Sequence, residues 1–276
     1  MTIQKYIRQN IRDLKPYSSA RDEFDGRAEV YLDANENPFE TGLNRYPDPL
    51  QKTLKSRIAE LKNIKPQNIF LGNGSDEAID LLIRIFCEPG QDEIVVLPPT
   101  YGMYSVCAAI SNVSVREVPL KKDFQLEVDV ILKASTSASK ILFVCSPNNP
   151  TGNHFKTQST LKLIAEFDGI VVIDEAYIDF SEKESYLNWI DKYPNLVVLQ
   201  TFSKAWGLAG IRLGMAFAPR EIIQLLNKVK PPYNVNALTQ KAALSALNKI
   251  EKFQKEIVEI IDQRTLLERG LSTFDF

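Results

Sequence analysis

Residues 200–217, QTFSKAWGLAGIRLGMAF, place Lys204 in a short polar turn between two apolar runs. Thr201 and Ser203 flank it, Gly207, Gly210 and Gly214 follow, and Arg212 lies among the glycines. Enclosure in a small pocket lowers the pKa of a lysine amine and lets it condense with an aldehyde. Two hydroxyls and a guanidinium make a fitting set for a phosphate. A lone lysine is more often a solvated surface residue, and a Ser-Lys pair also serves some hydrolases. The hydrolase reading would leave Arg212 and the residues that follow without roles.

Three other clusters could do chemistry. In GIVVIDEAY, Asp174 closes a fully apolar run. A carboxylate at a buried strand end is costly unless it is charge-paired or hydrogen-bonded. An N-cap or a salt bridge would serve, and so would the protonated ring nitrogen of a cofactor. In SPNNPTG, residues 146–152, two prolines and a glycine fix a rigid turn that projects Asn148 and Asn149. In LGNGSDEAI, residues 71–79, Gly72 and Gly74 flank Asn73 just before a helical pattern. Free backbone N–H groups at such a start bind anions. No Gly-Lys-Ser/Thr follows, so this is not a P-loop. Asp76 and Glu77 suit the helix dipole but should not face a phosphate, which leaves the backbone and Ser75.

The elements that must position these residues alternate along the chain. From about residue 68, the runs NIFL, EIVVLPP, SVREVPL, KILFVCSP, GIVVIDEAY, NLVVLQTFSK and LGMAFAP read as strands. Helical patterns separate them at 75–86, 101–110, 127–134 and 157–167. Strands apolar on both faces are interior and mostly parallel, so the alternation predicts a layered α/β fold. Sites in open parallel sheets lie outside the carboxyl ends of the strands. The three polar clusters CSPNNPTG, VIDEAY and LQTFSKAW all sit at strand ends, which predicts one shared site. Beyond residue 221 the chain reads as amphipathic helices interrupted by KPPYNVN, the last ending at Gly270 as a C-cap. At the other end, Ile3, Ile7, Ile11 and Leu14 recur at helical spacing, predicting an amphipathic arm that packs on the body or on a partner.

Bulk properties narrow the class. The 276 residues are 44% hydrophobic and 25% charged with a net charge of −2, an ordinary globular balance. No basic block suggests nucleic acid, no apolar run suggests a membrane span, and no signal-peptide pattern opens the chain. Cys87, Cys107 and Cys145 are widely spaced within apolar runs, as expected of buried, reduced thiols in a cytoplasm. His154 is the single histidine, so no metal site needing two is expected.

An aldehyde-binding lysine, a ring-nitrogen carboxylate, a phosphate cup and an asparagine together describe pyridoxal 5′-phosphate. At this point the sequence resembles the fold-type I aminotransferases, through SPNNPTG, VIDEAY and TFSKAWGLAGIRLG in that order. Within them, LKPYSSAR (14–21), YLDANENP (31–38), RYPDP (45–49) and GNGSDEAID (72–80) are similar to the histidinol-phosphate aminotransferases. The resemblance implies a three-layer α/β/α, aspartate aminotransferase-like large domain with a mostly parallel seven-stranded sheet, over 41–230. Residues 1–40 would form an N-terminal arm and part of a small domain, and 231–276 the start of an incomplete one. It implies that Lys204 holds the cofactor covalently, Asp174 pairs with the pyridinium nitrogen, and Tyr177 and Asn149 bond the phenolic oxygen. Tyr101 would stack on the ring. Gly74, Ser75, Asp76, Thr201, Ser203 and Arg212 would bind the phosphate. Tyr46 would reach the phosphate of a neighbouring subunit's cofactor, making a homodimer with shared sites. Tyr17 and Asn35 would lie near substrate.

The implied reaction moves an amino group from an amino-phosphate donor, histidinol phosphate, to 2-oxoglutarate. An aromatic aminotransferase and a threonine-phosphate decarboxylase of the same superfamily are the nearest rivals. A truncated, inactive cofactor-binding protein is the alternative of another class. Family members continue past residue 276 and carry there an arginine that grips a carboxylate. Arg264 and Arg269 are expected to be solvated instead. A face at Ile257, Ile260, Ile261 and Leu267 is expected to be exposed, with weakened activity or stability of this chain.

Overall fold

Seven strands carry the molecule: β1 (Ile69–Asn73), β2 (Glu93–Val96), β3 (Ser114–Glu117), β4 (Ser139–Cys145), β5 (Ile170–Asp174), β6 (Leu196–Thr201) and β7 (Leu213–Phe217). A computed structural model describes residues 3–17, 30 and 32–274. The strands form one sheet in the order β1-β7-β6-β5-β4-β2-β3. All pairs are parallel except those of β7, which runs against both its neighbours, β1 and β6. The interior strands are apolar on both faces along their middles because they are covered on both sides, and their polar residues sit at the ends. Successive side chains point to opposite sides, so Val171, Ile173, Leu196 and Val198 enter one core and Ile170, Val172, Val197 and Leu199 the other.

Helices fill the two outer layers. On one face lie α2 (Lys52–Lys62), α5 (Val128–Ala134), α6 (Thr157–Glu166) and α8 (Ala237–Leu247). On the other lie α1 (Gln9–Asp13), α3 (Gly74–Phe86), α4 (Met103–Ile110) and α7 (Arg220–Val229). Helix α3 shows the expected apolar face of Ala78, Leu81, Leu82 and Ile85, and also buries Ile79, Ile83 and Phe86. It is covered from outside by the N-terminal segment, so little of its circumference meets water.

That segment departs from the expected single helix. Ile3–Tyr6 is a 3-10 turn, and α1 begins only at Gln9. The break is at Arg8, whose N–H donates to the Ile85 carbonyl at 3.1 Å while its guanidinium bonds Glu88 at 2.9 Å and the Arg84 carbonyl at 2.9 Å. Bonding the end of α3 wins over continuing the helix. Ile3, Ile7 and Ile11 are buried, and Leu14 is exposed. The last helix, α9 (Ile250–Leu271), also differs from expectation. Gly270 lies inside it, without a positive φ, and the cap is Ser272. None of its residues is buried, but Ile257 and Ile261 are half-covered, while Ile260 and Leu267 are exposed as expected. Its start is anchored where Phe253 stacks on Trp206, ring centroids 3.7 Å apart. No helix among the described residues is long and apolar enough to cross a membrane.

Candidate active site

The register of the sheet brings Cys145 and Asp174 side by side at the carboxyl ends of β4 and β5, next to the end of β6. Asp174 is the floor of the cleft there and is only 3% exposed. Its Oδ2 accepts a hydrogen bond from the Tyr104 hydroxyl at 2.7 Å, and its Oδ1 one from the Ala176 N–H at 3.0 Å. Burial pushes the Asp174 carboxyl up. The Tyr104 hydroxyl, the Ala176 N–H and the charge of Lys204 act against that rise, and Asp76 adds to it. Asp174 has no ion pair among the described residues.

Glu175 turns to the opposite face of the sheet. It accepts from the Ser185 hydroxyl (2.5 Å), the Tyr186 N–H (2.6 Å) and the Gln200 amide (2.9 Å). Burial outweighs these donors and pushes its carboxyl up to about 7.

The wall beside Asp174 is where α3 begins. Gly74 has φ +74°, and its N–H donates to the Arg212 carbonyl at 2.9 Å. A Cβ on Gly74 would lie 2.8 Å from Arg212 Nη2, and one on Gly214 would lie 2.1 Å from the Ser75 nitrogen. Both positions require glycine, so the helix start is seated directly on the backbone of β7. Arg212 itself is left-handed at φ +52°, a conformation that costs a non-glycine residue about 1 kcal/mol or more. The Thr201 hydroxyl donates to the Leu213 carbonyl at 3.3 Å and accepts the Ser203 N–H at 3.0 Å. The Glu77 side chain turns back to accept the Asn73 N–H, away from the cup. Asp76 lines the cleft as the resemblance implied, its carboxylate accepting from the Tyr101 hydroxyl at 3.2 Å and lying 3.7 Å from Arg212.

The structure therefore brings most of the sequence-derived candidates to one cavity of about 110 Å³. Gly74, Ser75, Asp76 and Tyr101 line one side. Asn149, Asp174 and Tyr177 line the floor and the opposite side. Thr201, Ser203, Lys204 and Arg212 close it. Lys204 is exposed at the mouth rather than enclosed, because its turn stands above the sheet edge, and its Nζ lies 5.5 Å from the centroid of the Tyr177 ring. The two asparagines part company. Asn148 is buried and bonds the Pro99 carbonyl at 2.9 Å and Thr151 at 2.7 Å, leaving only Asn149 on the cavity.

Three candidates are elsewhere. Tyr46 stacks on Tyr233, centroids 4.4 Å apart, and lines with Asn35 a separate cavity of about 440 Å³. Tyr17 is 72% exposed and lines neither. The motifs at 14–21 and 31–38 fall partly outside the described residues. Arg264 is exposed as expected and also lines a wider outer cleft between α9 and the 147–152 turn, with Asn149 and Tyr177 shared between the two cavities. Sequence reasoning missed Tyr104, Glu175 and Cys145 as site neighbours. Tyr104 had a signal: it follows Tyr101 by three residues at a helix start, a spacing that puts both side chains on one face. The three thiols are free and buried, and burial pushes Cys107 up to about 11 and Cys145 up to about 12.

Residues 28–276 match the family described as Aminotransferase class I and II. The chain belongs to the class I and II aminotransferases. This aminotransferase is 56% identical over 277 residues to a histidinol-phosphate aminotransferase of Flavobacterium johnsoniae, covering 99% of the chain and 79% of that relative. It is 53% identical over 275 residues to one from Cytophaga hutchinsonii, again covering 79% of the relative. A solved histidinol-phosphate aminotransferase of Sinorhizobium meliloti, in complex with pyridoxal-5′-phosphate, superposes with a TM-score of 0.77. That match covers 83% of this chain and 63% of the other at 23% identity, and it shows the common fold.

Proposed function

We propose that this aminotransferase uses pyridoxal 5′-phosphate to move the amino group of L-histidinol phosphate to 2-oxoglutarate, giving imidazole-acetol phosphate and L-glutamate. The observation that carries this reading is the convergence of Lys204, Asp174, Asn149, Tyr177 and the Ser75–Arg212 cup on one cavity. The 56% identity to a histidinol-phosphate aminotransferase supports the substrate.

The residues fit the cofactor chemically. Asp174 is a buried carboxylate without an ion pair among the described residues, an environment that favours a cationic ring nitrogen as partner. The glycine-lined start of α3, with hydroxyls and Arg212 around it, suits a phosphate dianion. Bound pyridoxal phosphate supplies an electron sink when the bond from the substrate α-carbon to hydrogen breaks. Asp174 keeps the ring nitrogen protonated. Asn149 and Tyr177 would bond the phenolic oxygen, and Tyr101 would pack against the ring. Thr201, Ser203, Ser75 and Arg212 fix the phosphate end. Lys204 Nζ, at the mouth of the cavity, would hold the cofactor's aldehyde and serve as the base for the substrate α-proton. With one cavity serving both amino donor and 2-oxoglutarate in turn, ping-pong kinetics are expected.

Residues 41–230 would form the cofactor-binding domain, with 1–40 and 231–276 contributing to a second. Tyr46 would serve the phosphate of a neighbouring subunit in a cytoplasmic homodimer. The test is a coupled assay with histidinol phosphate and 2-oxoglutarate. Stoichiometric glutamate supports the reading, whereas no glutamate here together with carbon dioxide release from O-phosphothreonine in a parallel assay would replace it with decarboxylation. Sedimentation at working concentration tests the dimer.

A further inference from the structure

Tyr104 lies on α4, wholly buried, with its ring stacked on Phe143 of β4 at 4.5 Å and 10° and met edge-on by Tyr101 at 5.5 Å and 83°. A buried tyrosine hydroxyl needs a partner, and this one donates to Asp174 Oδ2 at 2.7 Å. The other carboxylate oxygen is held by the Ala176 N–H at 3.0 Å. Two donors, one from α4 and one from the turn after β5, thus fix the carboxylate in its plane.

We infer that Tyr104 is a positioning residue, holding the Asp174 carboxylate ionised and oriented to accept from the cofactor's ring nitrogen. The inference rests on the pyridoxal phosphate reading above. The charged and titratable groups around Asp174 come from every neighbouring element. Asp76 on α3 opposes its ionisation and Lys204, after β6, favours it. Tyr101, before α4, and Cys145, at the end of β4, each interact with its charge. Among all these, Tyr104 alone supplies a side-chain hydrogen bond to the carboxylate. Burial and the neighbouring carboxylate push the Tyr104 hydroxyl well up, so it stays a donor across the working pH range.

The test compares the full chain with Tyr104→Phe, which keeps the ring and its stack. The probe is pyridoxine 5′-phosphate, which has no aldehyde, so Lys204 adds no covalent bond and the ring contact is read alone. Its affinity is measured by calorimetry between about pH 5.5 and pH 9, alongside the absorbance of added pyridoxal 5′-phosphate. Without the donor, Asp174 ionises at higher pH. The acid limb of the affinity profile is expected to move up by about one pH unit, weakening binding about tenfold on the acid side and converging with wild type on the alkaline side. An unmoved limb, or an equal loss at every pH, would overturn the inference. Phe143→Leu, which loosens the stack and keeps the hydroxyl, is expected to leave the limb in place; an equal shift there would also overturn it. If wild type binds neither probe, the cofactor reading falls, and this inference with it.

Discussion

The floor of the cleft and its rim follow different rules. On the floor Asp174 and Tyr104, and behind it, on the other face of the sheet, Glu175 and Gln200, are buried and bonded to protein groups. At the rim, Lys204 and Arg212 are exposed, and Ser203, Tyr177 and Tyr101 are half-buried. Deleting a floor group strands a buried partner, at about 1–3 kcal/mol. A rim group has water as an alternative partner, so its loss should cost chemistry and little stability. Folding and function are therefore coupled at the bottom of this site and separable at its edge.

The sharpest separation is Lys204→Ala. Turnover is expected to fall by about 10⁴-fold or more, while the melting temperature stays within about 1 °C of wild type. A large loss of stability would contradict the exposed placement of this lysine. Gly214→Ala should do the reverse. Its methyl would collide with the Ser75 nitrogen, and overpacking of that kind costs about 3 kcal/mol, read by chemical denaturation, with the phosphate cup lost alongside. Wild-type stability in that variant would mean that the α3 start is not seated on β7.

Glu175, buried behind the floor, gives a test through pH. Its folded pKa, raised to about 7, exceeds the ordinary carboxyl value of 4.5. The folded state therefore holds a proton that the unfolded state has released across that window. Stability from this group is complete below about pH 4.5 and declines as pH rises to about 7, by up to about 3 kcal/mol. Denaturation of wild type and Glu175→Gln at several pH values should show this slope only in wild type. The smallest effect is Arg212→Gln at the rim. One guanidinium–phosphate contact is worth about 1.5–3 kcal/mol, so pyridoxal phosphate should bind about ten- to a hundredfold more weakly, with unchanged folding.

The rim was largely legible in the sequence, and of the floor only Asp174 was. Lys204, Asn149 and Arg212 stood out because polar residues in tight, glycine- or proline-rich turns break an apolar pattern. Asp174 stood out for the same reason at the end of IVVI. The strands were legible because alternate residues on both faces are apolar, which only an interior strand tolerates. Tyr104 was hidden because helical periodicity reads an inward tyrosine as core, and its hydroxyl partner is seventy positions away. Glu175 was hidden because its three donors come from Ser185, Tyr186 and Gln200, which no local spacing connects to it. The continuous N-terminal helix failed because Arg8 has a stronger claim from the end of α3. Tyr46 and Asn35 share a cavity away from the cleft, a separation that a linear motif does not encode.

Gly72 and Gly214 pair directly across β1 and β7. That rung of the sheet therefore has no side chains, and α3 rests on bare peptide where any other strand would hold it off by the thickness of a residue. The distance between the helix start and the end of β6 is thus set by backbone covalent geometry, which does not adjust rotamers when temperature or neighbours change. An anion held between Ser75 and Ser203 would therefore meet an interval that backbone alone fixes.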